Sequence, residues 1–271
     1  MKPNKIICDD HAEWKKSEIN KVTFIGLGVQ KGGTTTLHAM LDKHPNACLP
    51  EEKETHYFSK NYEKGFEWYM KRFKPSEREK ILGEITPYYL FHPLAPRRIH
   101  TIAPNAKLII LLRDPVRRSI SQYFHSQRLG VETLQIREAF KAEDERLRDA
   151  KDYIERTGKN HFSHQEHSYK SRSRYEKQLP QWEELFTKEQ ILIIKSEDLF
   201  IEPELNLNKI QEYIGLEKMA LRETVIGNRG RKEHKKVDPR FMKELYNDLK
   251  ETYKWAKEKY NITWDASDYI N

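Results

Sequence analysis

The stretch Val22-Thr23-Phe24-Ile25-Gly26-Leu27-Gly28-Val29-Gln30-Lys31-Gly32-Gly33-Thr34-Thr35-Thr36-Leu37 decides the fold. Its first seven residues are an apolar run ending in glycine, the pattern of a buried strand. Leu37, Met40 and Leu41 then recur at helical spacing, and Pro45 marks the stop. A strand, a tight glycine turn and a helix start form an anion site. The glycines let backbone N–H groups approach an oxyanion, and the helix N-terminus adds a favourable dipole. Thr34, Thr35 and Thr36 add hydroxyl donors. In the nucleotide-triphosphate loop GxxxxGK[ST] a lysine follows the second glycine. Here Gly28 and Gly33 have the right separation, but position 34 is Thr and the loop's cation is Lys31. This is a phosphate cradle with its cation moved.

The alternation of strand and helix continues outward. AKLIILLRDP (106–115) is the clearest further buried strand, with shorter ones in ILGEITP (81–87) and ILIIKSEDL (191–199). Helical periodicity marks 95–103, 117–130, 132–157, 175–186, 205–213 and 239–260. The expectation is an α/β fold with a mainly parallel central sheet flanked by helices. No repeat, low-complexity linker or composition break divides it. One domain is therefore expected over residues 21–271, after a polar lead-in over 1–20.

Composition narrows the function. Of 271 residues, 37% are hydrophobic, 34% charged and 11% aromatic, enough to build a core beneath a strongly polar surface. Lys plus Arg is 49 against 42 for Asp plus Glu, a net +7 that suits an anionic ligand but is too modest to argue for nucleic acid. No run approaches the ~18 apolar residues of a membrane span, so membrane insertion is not expected. The first twenty residues lack the apolar segment of a secretory signal. Cys8 and Cys48 cannot make a disulfide framework or a Cys-only zinc site. A cytoplasmic location is the expectation.

A second anion site is legible in LLRDPVRRSISQYFH. It places Arg113 at a strand end, where ligands bind open parallel sheets, and Ser121 about two turns into the next helix. Together they can hold a second phosphate by charge-assisted hydrogen bonds; separately, Arg113 can serve an ion pair and Ser121 a helix face. Asp114 can be read as a carboxylate for Mg²⁺ or, better, as an N-cap ahead of Pro115. In Lys53-Glu54-Thr55-His56-Tyr57-Phe58, positions 54 and 56 share a face if the segment is extended, so both can point into one cleft. Otherwise Glu51, Glu52 and Glu54 form a solvated acidic run. His161, His164 and His167 have a spacing that can hold a metal, but no carboxylate or cysteine spacing supports one.

Taken together, these motifs resemble the sulfotransferases that use 3′-phosphoadenosine 5′-phosphosulfate (PAPS), in the bacterial and heparan-sulfate-like branch. The resemblance runs from about Thr23 to Asp265. FIGLGVQKGGTTTLHAML looks like the family's 5′-phosphosulfate loop, LIILLRDPVRRSISQY like its 3′-phosphate motif, and KETHYF like the segment placing its catalytic base. SRSRYEKQLPQWEELF with ILIIKSEDL matches the later helix and strand, and NRGRKEH (228–234) the basic glycine loop that closes over the cofactor. The resemblance implies a P-loop nucleotide-kinase-like fold and sulfuryl transfer from PAPS to a hydroxyl or amine of a small-molecule or saccharide acceptor, leaving adenosine 3′,5′-bisphosphate (PAP). It implies Glu54 as general base with His56 beside it. Lys31 would stabilise the leaving phosphate, assisted by Gly32, Gly33, Thr34, Thr35 and Thr36. Arg113, Ser121 and Arg231 would bind the 3′-phosphate, with Arg229 and Gly230 shaping the loop and Tyr175 near the nucleotide. No metal is implied. Ile85 stands where heparan-type members carry a lysine, and His234 lies one position late in the glycine loop. Residues 126–170 are expected to line or cover the acceptor site. Two other readings use the same residues: a P-loop kinase-like phosphotransferase, and a non-enzymatic module binding anionic glycans through 170–177 and 229–236.

Overall fold

The computed structural model describes residues 21–74, 81–220 and 237–270. In chain order the elements are β1 (Val22–Gly28), α1 (Thr34–Leu41), β2 (Ala47–Cys48), α2 (Gly65–Met70), β3 (Ile81–Ile85), α3 (Ala95–Ile102), β4 (Lys107–Leu112) and α4 (Pro115–Arg128). They continue with α5 (Ile136–Leu147), α6 (Ala150–Thr157), α7 (Phe162–Glu166), α8 (Pro180–Glu183), β5 (Ile191–Lys195), α9 (Ser196–Ile201), α10 (Pro203–Ile214), α11 (Pro239–Tyr260) and α12 (Ser267–Ile270). The five strands form one sheet in the order β2-β3-β1-β4-β5, every pair parallel. The expected α/β class is observed. The expected lead-in over 1–20 lies outside the described residues.

The central strands read as unbroken apolar runs because helices cover both faces. Leu108, Ile110 and Leu112 of β4 face a cluster with Ile99, Tyr175, Leu179 and Trp182. The intervening Ile109 and Leu111 face the other way, toward Leu37, Met40, Leu207 and Ile210 of α1 and α10. A third cluster joins α4, α5 and α11 through Ile120, Phe140, Phe241 and Leu245. Burying one such side chain contributes about 1.5–3 kcal/mol, so the two-sided sheet is the main source of stability.

One sequence expectation is resolved and one changes. The region 132–157, readable as one charged helix or a pair, is a pair, α5 and α6, broken near Arg148. The stretch 175–186 is not one helix: a 3₁₀ turn at Tyr175–Lys177 precedes the short α8, which starts at Pro180. Proline lacks the N–H and its ring would clash with the preceding turn, so a continuous helix is blocked there. Its apolar side chains still reach the core, which is why the periodicity looked helical.

Candidate active site

Three strand ends converge where an open parallel sheet places its ligands. At the end of β1, the loop over residues 29–33 turns back on itself. Gly32 N–H donates to the Val29 carbonyl at 2.9 Å, and Val29 N–H to the Leu111 carbonyl at 3.0 Å. Gly33 is the N-cap of α1 with φ +93°, a left-handed conformation that glycine adopts without a Cβ penalty. Among the described residues no side chain caps that helix end. The first-turn N–H groups of α1 therefore face the loop without a capping acceptor, the arrangement an anion completes. Thr34 and Thr36 are buried and Thr35 is exposed. Ser196, at the start of α9, donates to the Gly32 carbonyl at 2.6 Å and pins the turn from behind.

The β4 end supplies the second motif. Arg113 Nη1 donates to the Lys31 carbonyl at 2.7 Å, joining the two anion motifs directly. Lys31 itself has φ +70°. Ser121 is buried on α4. Tyr175 sits in the core beneath them, with no exposed surface, and its hydroxyl donates to the Arg113 carbonyl at 2.7 Å. It supports the strand end from below. Asp114 is the N-cap of α4 with Pro115 at the first helical position. Its Oδ1 accepts from Arg117 N–H at 2.8 Å and Tyr269 Oη at 3.1 Å, and its Oδ2 from Tyr253 Oη at 3.0 Å. Burial pushes its carboxyl up to about 6. Both oxygens are committed, so Asp114 acts as a structural cap.

The segment 53–60 is anchored to the end of β3. Glu84 is wholly buried; it accepts from Thr55 Oγ1 at 2.6 Å, Thr86 Oγ1 at 2.9 Å and Tyr89 Oη at 2.9 Å. Burial raises its pKa, and these donors oppose the rise. Glu54 and His56 are brought together, though not by an extended backbone: both have positive φ, +65° and +51°. Their side chains turn toward each other across Thr55, whose own side chain is held by Glu84. Glu54 also pairs with Lys53, and its Oε2 lies 3.7 Å from His56 Nε2. His56 is pushed down to about 3, chiefly by burial and then by Lys60, Arg172 and Lys53. It is a neutral imidazole at neutral pH.

The remaining predicted residues divide. Arg229, Gly230 and Arg231 lie outside the described residues. The histidine triplet does not converge: His161 caps α7, His164 Nδ1 bonds Tyr88 Oη at 2.8 Å, and His167 meets Ser163 and the Val131 carbonyl. Ile85 is buried with Phe24, Leu37 and Met40 on the α1 side of the sheet, where its side chain packs in the core. Three site residues were missed. Glu84 carried a usable signal, a carboxylate inside the otherwise apolar strand ILGEI. Arg172 and Ser196 carried none, because Arg172 looks like any member of the basic run KSRSR and Ser196 like any serine at a helix start.

Residues 23–259 match the family model described as a sulfotransferase domain. The chain belongs to the sulfotransferase family. Human heparan sulfate glucosamine 3-O-sulfotransferase 3B1 is 31% identical over 195 residues, covering 71% of this chain and 46% of that protein. The membrane-associated sulfotransferase kil1 of Dictyostelium discoideum is 47% identical over 106 residues, covering 38% of this chain and 22% of the relative. This sulfotransferase chain thus spans less than half the length of these relatives. A sulfotransferase from Alicyclobacillus acidocaldarius has the same fold, with a TM-score of 0.65 at 24% identity over 85% of this chain and 95% of that one. Among the described residues of the sulfotransferase no helix is long and apolar enough to cross a membrane.

Proposed function

We propose that this sulfotransferase moves a sulfuryl group from PAPS to an acceptor hydroxyl, with Glu54 as general base. One observation carries the reading: Arg113, from the second anion motif, holds the backbone of Lys31 in the first. Two anion sites on neighbouring strand ends suit a ligand with phosphates at two positions. The uncapped N-terminus of α1 and the left-handed Gly33 suit the 5′ end of PAPS, and Arg113 with Ser121 suits the 3′-phosphate. Arg231, with Arg229 and Gly230 shaping its loop, is assigned to the 3′-phosphate from sequence alone.

When bound, the donor supplies an SO₃ group on a phosphate leaving group. Lys31 neutralises the negative charge that builds on the bridging oxygen, assisted by N–H groups of residues 32–35. Glu54 accepts the acceptor's proton as the new S–O bond forms. His56, neutral at the working pH, stays beside Glu54 as a dipolar neighbour. Base catalysis of this kind is typically worth ~10²–10⁴-fold. A saccharide hydroxyl is the acceptor class favoured, since relatives above 30% identity are named for glucosamine sulfation.

The competing readings lose support from particular residues. A kinase needs a lysine at position 34 and a carboxylate free for Mg²⁺; position 34 is Thr, and Asp114 is committed as a cap. A polyanion-binding surface over 170–177 is undercut because Arg172 is buried and Lys170 faces Asp144 and Asp248.

Thermal shift with PAP, ATP·Mg²⁺, heparin and adenosine 5′-phosphate tests the reading. PAP at a hundredfold excess over its Kd stabilises by about 2.7 kcal/mol, and only PAP is expected to act strongly. Stabilisation by ATP·Mg²⁺ without PAP would overturn it. Labelled PAPS with an acceptor panel (oligosaccharides, lipid-linked glycans, phenols), read by mass spectrometry for an added sulfuryl group, identifies the acceptor.

A further inference from the structure

Arg172 is 2% exposed and lies in the 3₁₀ turn at Ser171–Ser173. A guanidinium removed from water is costly unless it is paired. Among the described residues its hydrogen bonds go to neutral oxygens. Nη1 donates to Gln30 Oε1 at 2.5 Å; Nη2 donates to the carbonyls of Gln165 at 2.5 Å and His164 at 3.2 Å. Its Nε is buried and has no hydrogen-bond partner among the described residues. The guanidinium stands over the rings of Tyr88 and Phe91, 5.0 and 5.3 Å from their centroids. Tyr88 in turn makes an edge contact with His56, with ring centroids 6.2 Å apart.

These contacts join three separate parts of the site. Gln30 precedes Lys31 in the glycine loop. Tyr88 and Phe91 follow β3, whose end holds the Glu54 segment. The His164 and Gln165 carbonyls belong to α7, within the region expected to line the acceptor site. A planar fork can serve all three directions at once, which a lysine ammonium on a flexible stem cannot.

We propose that Arg172 is a positioning residue for sulfuryl transfer: through Gln30 it fixes the loop that carries Lys31 against the aromatic wall beside Glu54 and His56. The proposal rests on the functional reading above. Its effect falls on the alignment of Lys31 with the base, so it is felt in turnover more than in binding.

The test compares Arg172→Lys, Arg172→Gln and Gln30→Ala with the wild type. Turnover is followed as PAP formed from PAPS with the best panel acceptor, and PAP affinity by calorimetry. A misplacement of about 1 Å can cost ~10²-fold, so kcat is expected to fall by roughly ten- to a hundredfold in Arg172→Lys and Gln30→Ala. The Kd for PAP should stay within about threefold, since its phosphates are held by other residues. The double variant Gln30→Ala/Arg172→Lys should be no slower than the slower single, because both cut one connection. If Arg172→Gln does not fold, Gln30→Ala decides, because it removes the contact from the loop side. Turnover within about twofold of wild type in both Arg172→Lys and Gln30→Ala, a change confined to KM, or losses that multiply would overturn the proposal while leaving the functional reading intact. A wild type that forms no PAP from PAPS overturns that reading and this proposal with it.

Discussion

The guanidinium of Arg113 donates to the carbonyl of Lys31 at 2.7 Å, so the residue assigned to one phosphate holds the backbone that presents the cation to the other. Arg113 and Ser121 are therefore not equivalent. Arg113→Ala should weaken both PAP and adenosine 5′-phosphosulfate, whereas Ser121→Ala should weaken PAP alone. Loss of a hydrogen bond to a charged group costs about 1.5–3 kcal/mol, easily resolved by calorimetry. Equal losses for both ligands in Ser121→Ala would remove that residue from the 3′ site.

Lys31 sits at φ +70°, where any residue with a Cβ bears the same backbone strain. On the proposed role, in which the ammonium acts on charge that develops in the transition state, Lys31→Ala should leave the melting temperature nearly unchanged and lower kcat strongly. A normal turnover number would refute the assignment.

Glu54→Gln keeps size and polarity but cannot take a proton. Turnover should fall by at least ~10²-fold, with PAP affinity retained. His56→Ala should be milder. Burial holds the His56 imidazole down to about 3, so it is neutral at the working pH and is not the charged partner of Glu54. A larger loss of turnover in His56→Ala than in Glu54→Gln would make His56 the base.

Glu84 holds the segment of Glu54 and His56, through Thr55, without touching solvent. Glu84→Ala leaves the hydroxyls of Thr55, Thr86 and Tyr89 without their shared acceptor, at a cost of about 1–3 kcal/mol for an orphaned buried group. Chemical denaturation should show that loss, with a fall in kcat because the turn carrying Glu54 and His56 is loosened. Glu84→Gln, which keeps an acceptor oxygen, should recover much of both. Unchanged stability in Glu84→Ala would show that the cluster adds nothing.

Stability should fall on mild acidification. His56 and His164 are each pushed from 6.5 down to about 3, first by burial. Between those values the unfolded chain binds protons that the folded chain refuses, so stability rises with pH across that window and is lost as pH falls through it. Each site contributes up to about 1.4 kcal/mol per pH unit there. His92 and His38, also lowered by burial, add to this loss; Asp114, raised from 3.8 to about 6, and Glu84 and Glu143, also raised by burial, oppose it, because there the folded state binds the extra proton. Melting temperatures from pH 7 to pH 4 should therefore decline, and His164→Gln should flatten the slope. An unaltered slope in that variant would show that His164 is not buried neutral.

The amino-acid sequence by itself determined the strand–loop–helix order and the parallel sheet, and it placed Arg113 at a strand end with Ser121 on the following helix. These depend on local features: an apolar run, glycines where the backbone must turn, Pro115 behind a capping aspartate, and periodicity along α10 and α11. It also singled out Glu54 and His56, through residue type and a spacing of two, although the expected extended backbone is a left-handed bend. Only the tertiary structure decided what stands behind those residues. Tyr175 proved to lie beneath Arg113, and Glu84 became the anchor of a segment 29 residues upstream, Thr55. Arg172 reached Gln30 across 142 positions. Such pairings have no local signature, because a buried arginine and an exposed one are the same letter. What separates them is whether the folded chain brings neutral oxygens and aromatic faces to the guanidinium in place of water.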